Sequence, residues 1–287
     1  MPAVQPLPSS IHRIYPATSD DLLELSSFLS QNNLIHRHLD WLSSLDWLGR
    51  QPFLFEKIND RIQGAMCATP EVKGSTWVRM FGANPIRPME DTWERLLSET
   101  IVILKSLEIN QLAALGLSPW FINLLGHSGF HHHQSIVELE WRQITPRKEN
   151  PISGIVIRAM HDDDLLMVLN IDRLAFNPLW QYSLESLQKA YNQPGFHTVA
   201  MMHDQIVGYQ ISTIYHSHLA RLAVHPENQR QHIAKALLMD LLKKFSYIGM
   251  NHVTVNTQSD NEPSLALYKS LGFKKKQEHI PVYLLDL

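Results

Sequence analysis

The chain has 287 residues, 44% of them hydrophobic and 18% charged, with a formal net charge of −3 when histidine is neutral. That is apolar material for one long domain or two ordinary ones, and the missing basic surplus argues against a protein that coats DNA or RNA. The single cysteine, Cys67, excludes an internal disulfide, and no apolar run nears the ~20 residues of a membrane helix, so a soluble cytoplasmic protein with no membrane or nucleic-acid partner is expected.

In chain order, HRIYPATSDDLLELSSFL reads as a short strand, an acidic turn and a helix, and Pro8, Asp20, Asp21 and Glu24 make it unlike a secretory signal. Strands follow at 52–56, 62–68 and 76–80, then helix 90–107, strand 111–115, helix 118–127 and strand 130–142. Within 90–107, Trp93, Leu97, Ile101 and Leu104 recur on one helical face. The adjacent His131, His132 and His133 lack ligand spacing and read as solvated edge residues, so no metal is expected. Residues 145–153, TPRKENPIS, break the apolar pattern and mark a boundary between a domain at 1–148 and one at 153–287.

The second half reads as strand 154–159, helices 162–175 and 181–192, and strands 196–202, 205–215 and 217–224. Helix 231–247, strand 251–257, helix 261–271 and strand 273–285 complete it. His203-Asp204 joins two alternating strands as a hairpin turn, and Ile233, Leu237, Leu238, Leu241, Leu242 and Phe245 give helix 231–247 one apolar face. The predicted fold class is α/β, a mixed sheet flanked by helices in each half.

The halves share a rhythm. LLGHSGFHHHQ near residue 126 answers LYKSLGFKKKQ near residue 272, and Gly129 to Gly272 is the same step as Ile14 to Ile157, 143 residues. Gly129 and Gly272 are expected to end helices in the left-handed conformation, with Phe130 and Phe273 dropping into cores.

The chemistry is concentrated in RLAVHPENQRQHIAKALLMDLL. An apolar strand ends at Val224, Pro226 terminates it, and a polar turn feeds an amphipathic helix. The amides of 231–235 point back along the helix axis, the first of them lack internal acceptors, and together they form a donor array suited to a phosphate or pyrophosphate, with Arg230 and Lys235 adding charge. An ordinary capped strand–helix junction is the competing reading. Further on, Asn261, Ser264 and Tyr268 share a face of helix 261–271, which brings an amide and a phenol to the same region; a tyrosine that merely packs is the alternative.

These residues resemble the GNAT superfamily of N-acetyltransferases. The matching stretches are Leu222-Ala223-Val224-x-Pro226, then Gln229-Arg230-Gln231-His232-Ile233-Ala234, then Asn261-x-x-Ser264-x-x-x-Tyr268 with Leu271-Gly272-Phe273. Gln229 and Ala234 fit the family turn, Gln or Arg, two residues, Gly, one residue, Gly or Ala, but His232 stands where the first Gly is expected. A residue opening a right-handed helix needs no positive φ, so the His232 amide is expected to stay available. The first half lacks the motif: FGANPIRPMEDTW precedes its helix 90–107, and Asp91 and Glu94 put negative charge there instead. The resemblance thus implies two tandem GNAT-like domains, the first degenerate and free to act as a structural partner or to shape an acceptor groove.

The resemblance further implies acetyl-coenzyme A bound in an opening between strands 217–224 and 251–257. Leu222, Ala223 and Val224 would pair with the pantetheine arm, and the turn Gln229, Arg230, Gln231, His232, Ile233, Ala234 and Lys235 would hold the pyrophosphate. Asn261 would help to position the cofactor, and Tyr268 would be the acid toward the departing thiolate. The partner is an amine-bearing acceptor, a small molecule or a protein amine. His216 and His218 are candidate bases, beside a solvent relay. Phe176, Trp180 and Tyr182 are candidate acceptor-site residues or plain core, and Asp162, Asp163 and Asp164 attract a cationic amine or simply open a helix. The alternative function is a catalytically silent acyl-CoA-binding or protein-interaction module.

Overall fold

The computed structural model describes residues 13–31, 34–86, 88–142 and 153–287. They fall into two compact units, the first comprising the described residues through His131 together with Tyr283–Leu287, the second His132–Val282. Most of the expected boundary at 145–153 lies outside the described residues. Strand 132–142 belongs to the second unit and the last five residues to the first, so the compact units cross the limits that the repeat suggests.

The first unit contains β1 (Arg13–Pro16), α1 (Leu22–Ser30), β2 (Leu34–Arg37), β3 (Phe53–Ile58), β4 (Arg61–Cys67), β5 (Ser75–Trp77), β6 (Met80–Ala83), α2 (Met89–Ser106), β7 (Gln111–Leu115) and α3 (Pro119–His127). A five-stranded sheet runs β1-β3-β4-β6-β2. The strand expected at 76–80 is split, because the chain changes partner: β5 runs parallel to β7, whereas β6 runs antiparallel to β4. β2 and the short 3-10 turn Ser44–Trp47 are additions to the sequence reading. On α2, Trp93, Leu97 and Leu104 are buried and Ile101 packs against their cluster, as the spacing predicts.

The second unit contains β8 (His131–Arg142), β9 (Val156–Ala159), α4 (Leu165–Ala175), α5 (Leu184–Tyr191), β10 (His197–Met202), β11 (Gln205–Thr213), β12 (His218–Val224), α6 (Ile233–Tyr247), β13 (His252–Gln258), α7 (Glu262–Ser270) and β14 (Lys274–Asp286, the final residues of which belong to the first unit). Its strand order is β14-β8-β13-β12-β11-β10-β9. Helix 162–175 opens as a 3-10 turn, in which Asp164 accepts from the His161 amide and receives both Nη groups of Arg158 at 2.6 and 2.8 Å. Its charge is therefore spent on a helix start.

Several local expectations hold. Gly129 and Gly272 have φ of 81° and 92°, and Phe130 and Phe273 are buried. His203 and Asp204, with φ of 47° and 61°, make the left-handed turn of the β10–β11 hairpin. All six apolar side chains of the α6 face are buried, each stabilising the fold by about 1.5–3 kcal/mol. No described helix is long and apolar enough to cross a membrane.

Candidate functional site

β12 leaves its neighbour almost at once. It pairs in parallel with β13 only at His218↔Thr254 and Leu219↔Val255. On its other side it pairs with β11 through Gly208↔Val224 to Ile211↔Arg221, then skips to Ser212↔Leu219. Ala220 is thus an extra residue, and the bulge bends β12 away from β13. From Arg221 onward the main-chain groups on the β13 side have no strand partner, which leaves a wedge walled by Leu222, Ala223 and Val224.

Past Val224 the chain makes a 3-10 turn, Pro226–Asn228, and Gln229 returns its side-chain amide to the Val224 carbonyl at 3.4 Å. Arg230 and His232 both have left-handed backbones, φ 61° and 63°, and α6 begins at Ile233. This corrects the expectation for His232: the position requires positive φ, which is the physical reason for glycine there in the family pattern. It also moves the helix start from 231 to 233. A left-handed conformation costs a non-glycine residue roughly 1–2 kcal/mol, so this turn carries two such penalties.

The consequence lies in the amides. Those of Asn228 and Gln229 bond back to His225 and Pro226, and that of Ala236 to His232. Those of Arg230, Gln231, His232, Ile233 and Ala234 have no acceptor among the described residues. Five successive donors therefore stand free at the positive end of a 15-residue helix. Lys235 already lies inside the first helical turn. Gln229 to His232 are exposed, as an external anion would require.

Asn261 caps α7: its side-chain oxygen accepts from the Ser264 amide at 3.2 Å and its Nδ2 donates to Gln258 at 3.4 Å. Tyr268 is 5% exposed, packed with Val255, Leu219 and Phe273, its ring 5.5 Å from that of Phe273. The hydroxyl has no hydrogen-bond partner among the described residues, and burial alone pushes the phenol well above its ordinary range. It remains a proton donor throughout the physiological range.

Of the two histidines on the approach to β12, His216 is exposed in a turn at φ 66°. His218 stands at the last paired residues before the wedge opens and bonds the Thr254 hydroxyl through Nδ1 at 2.8 Å; burial holds its imidazole below the usual value and hence neutral.

A buried ion pair ties β12 to α4. Arg221, its side chain 9% exposed, sends Nε and Nη2 to the carboxylate of fully buried Asp172 on α4 at 2.8 and 2.9 Å. Nη2 also donates to the Trp180 carbonyl at 2.6 Å. The Tyr209 hydroxyl donates to the same carboxylate, as does the Tyr182 amide at 3.0 Å. The rings of Phe176 and Tyr182 lie 3.5 and 4.1 Å from the guanidinium. Those two aromatics are stacked on a cation of the protein itself. The signal that sequence reasoning passes over is an arginine inside an apolar strand, since a buried charge must be paired.

Known proteins share the fold. The family model of the acetyltransferase (GNAT) domain matches residues 175–281. Among solved structures, a GCN5-related N-acetyltransferase from Sphaerobacter thermophilus is 16% identical with a TM-score of 0.59, over 96% of this chain and 95% of that one. A tandem GNAT protein from the clavulanic acid biosynthesis pathway is 12% identical with a TM-score of 0.64, over 96% and 98%. A probable N-acyltransferase from Enterococcus faecalis V583 is 11% identical with a TM-score of 0.72, over 96% and 73%. No curated protein matches the chain. Residues 175–281 thus match the GNAT domain model, and the chain has the fold of a tandem GNAT protein over nearly its full length. In general that fold binds acyl-CoA and supports acyl transfer.

Proposed function

We propose that the second domain is an N-acetyltransferase that moves an acetyl group from acetyl-CoA directly to a primary amine. The observation that carries this reading is the run of five unpaired amides from Arg230 to Ala234 beside a strand edge that has lost its partner. An array of main-chain donors at a helix mouth matches a diphosphate in charge and in spacing. The free edge of Leu222, Ala223 and Val224 matches the amide-bearing pantetheine arm, which can be bonded as an added strand. Arg230 and Lys235 add positive charge nearby. Asn261 acts through α7, whose first turn it caps.

Bound acetyl-CoA would supply the acetyl group and a thiolate leaving group. The amides of β12 past the bulge are suited to stabilise the charge that develops on the carbonyl oxygen as the amine attacks. The Tyr268 hydroxyl, held protonated by burial, donates to the departing sulfur. The incoming amine must first lose a proton, either to water or to His218, whose neutral imidazole stands at the base of the wedge. Cys67 belongs to the first unit, where burial pushes its thiol up to about 11, so an acetyl-cysteine relay has no support.

The alternative, an acyl-CoA-binding module without turnover, is favoured by one observation: His232 carries a side chain at a left-handed position next to the donor array. Titration with acetyl-CoA, followed by an amine-library screen for released thiol, separates the two. Saturable binding with thiol release on an amine supports the enzyme. Binding without release on any amine supports the module, and no binding removes both.

A further inference from the structure

We infer that Arg221 is a positioning residue that locks the segment Phe176–Tyr182 onto β12, setting one wall of the acceptor groove before either substrate arrives. The locking stands on geometry alone; only the word acceptor rests on the acetyl-transfer reading. The segment runs between α4 and α5 and holds one 3-10 turn, Pro178–Trp180. Its turn closes through the Trp180 and Gln181 amides, Gln181 Nε2 donates to the Arg173 and Phe176 carbonyls at 2.9 Å, and four further ties meet at one ion pair. Phe176 and Tyr182 lie against the guanidinium, the Trp180 carbonyl accepts from Nη2, and the Tyr182 amide is held by Asp172. The main chain of the same arginine opens the unpaired stretch of β12. One residue thus joins the cofactor-facing edge to the segment on the other side.

Stability does not account for a charge at this place. Taking an arginine and an aspartate out of water is costly, and apolar replacement of such pairs is often neutral or stabilising. What the guanidinium offers is direction, because its planar fork fixes a carboxylate in two bonds and presents flat faces to aromatic rings. The pair is neutral overall and lends the groove no net charge. A second copy of the device stands in the first unit. Arg79, which lies 142 residues before Arg221, stands in the break between β5 and β6. It bonds Asp40 at 2.6 Å and Glu71 at 2.9 Å, and its guanidinium lies 4.7 Å from the Trp47 ring. An arginine just past the loss of a parallel strand partner, tied to a carboxylate and an aromatic ring, recurs in both halves.

Two full-length variants test this. Arg221→Lys keeps the charge but loses the fork, and the double variant Asp172→Leu/Arg221→Met leaves no charge buried alone, which guards against a simple failure to fold. Amide hydrogen exchange over 176–183 should quicken about tenfold or more in both, with α6 unchanged and acetyl-CoA affinity within about twofold of wild type. For an amine that is turned over, acceptor KM should rise about tenfold while kcat changes less. Unchanged exchange over 176–183 in folded variants would overturn the proposal. So would a loosened segment with an unchanged acceptor KM, or loosening that spreads equally to α6. If no amine is turned over by wild type, the transfer reading fails, and the exchange measurement still decides whether Arg221 locks the segment.

Discussion

The two units carry the same backbone plan around their central strands and differ in the turn beyond them. In each, a strand loses a parallel neighbour and runs on with an antiparallel one: β12 loses β13 and keeps β11, while β5 leaves β7 and its continuation β6 pairs with β4. In each, a buried arginine stands just past that loss. Yet β12 leads through two left-handed residues into α6 with five free amides, whereas β6 leads through Pro85 and Pro88 into α2, whose first turn carries Glu90 and Asp91. Carboxylates there occupy the electrostatic niche that the second unit leaves open to an external anion. The difference teaches that a bent strand alone does not make a diphosphate site; the turn after it does.

The sharpest test of the second unit as an enzyme is Tyr268→Phe. The ring still packs against Phe273, so cofactor affinity should hold while kcat falls about 10²-fold or more, the usual worth of a positioned acid. Because burial raises the phenol, the pH–rate profile should climb as the amine deprotonates and show no falling limb from this acid up to pH ~9.5. Unaltered turnover in the variant would remove Tyr268 from the role. The next largest effect separates the donor turn from its counterpart. Ala234→Pro deletes one free amide and no helical bond, and a bond to a charged acceptor is worth about 1.5–3 kcal/mol. Acetyl-CoA should bind about 10- to 100-fold more weakly by calorimetry, whereas Glu90→Pro, at the second position of α2, should leave binding unchanged. Equal losses would mean that the proline acts through folding.

The first unit should differ in acid. His36 is buried there, its ring stacked on Phe121 at 3.8 Å, and desolvation lowers its imidazole to about 4. A folded value below the unfolded one, about 6.5, means that the unfolded chain binds the extra proton first. Stability is whole above pH 6.5 and drains away as pH falls toward 4, by about 2 kcal/mol at pH 5. His36→Phe keeps the stack and removes the titration, so its melting temperature should fall less between pH 7.5 and 5 than that of wild type. Parallel pH dependence in the two proteins would show that His36 is not the group responsible.

Features fixed by neighbours in sequence are legible without coordinates. Gly129-Phe130 and Gly272-Phe273, the α6 face and the His203-Asp204 turn each come from short-range spacing, and the donor turn is visible as a strand, a proline and an amphipathic helix. Long-range partnership is not. Asp172 and Arg221 are 49 residues apart, and nothing local in DRLAF announces that its aspartate is fully buried beneath a guanidinium. β2 escapes a sequence reading because LIHR is too short to show a period. The membership of strand 132–142 in the second unit is hidden because it rests on distant pairing: β8 pairs with β13, more than a hundred residues later in the chain.

The smallest expected effect bears on what the turn uses to hold an anion. At His232 the backbone is left-handed, so His232→Gly relieves roughly 1–2 kcal/mol of folded-state strain, but it also frees the unfolded chain by a comparable amount. The melting temperature should therefore move little. The amide keeps its direction in either residue, so the donor array is unchanged. What the substitution removes is the Cβ and imidazole at the mouth of α6. If the main-chain donors do the holding, acetyl-CoA should bind about two- to fivefold more tightly once that bulk is gone. Weaker binding by the glycine variant would mean that the ring itself meets the phosphates. The turn would then have exchanged a glycine's close approach for a side-chain contact, and the left-handed strain at this position would be the cost of that exchange.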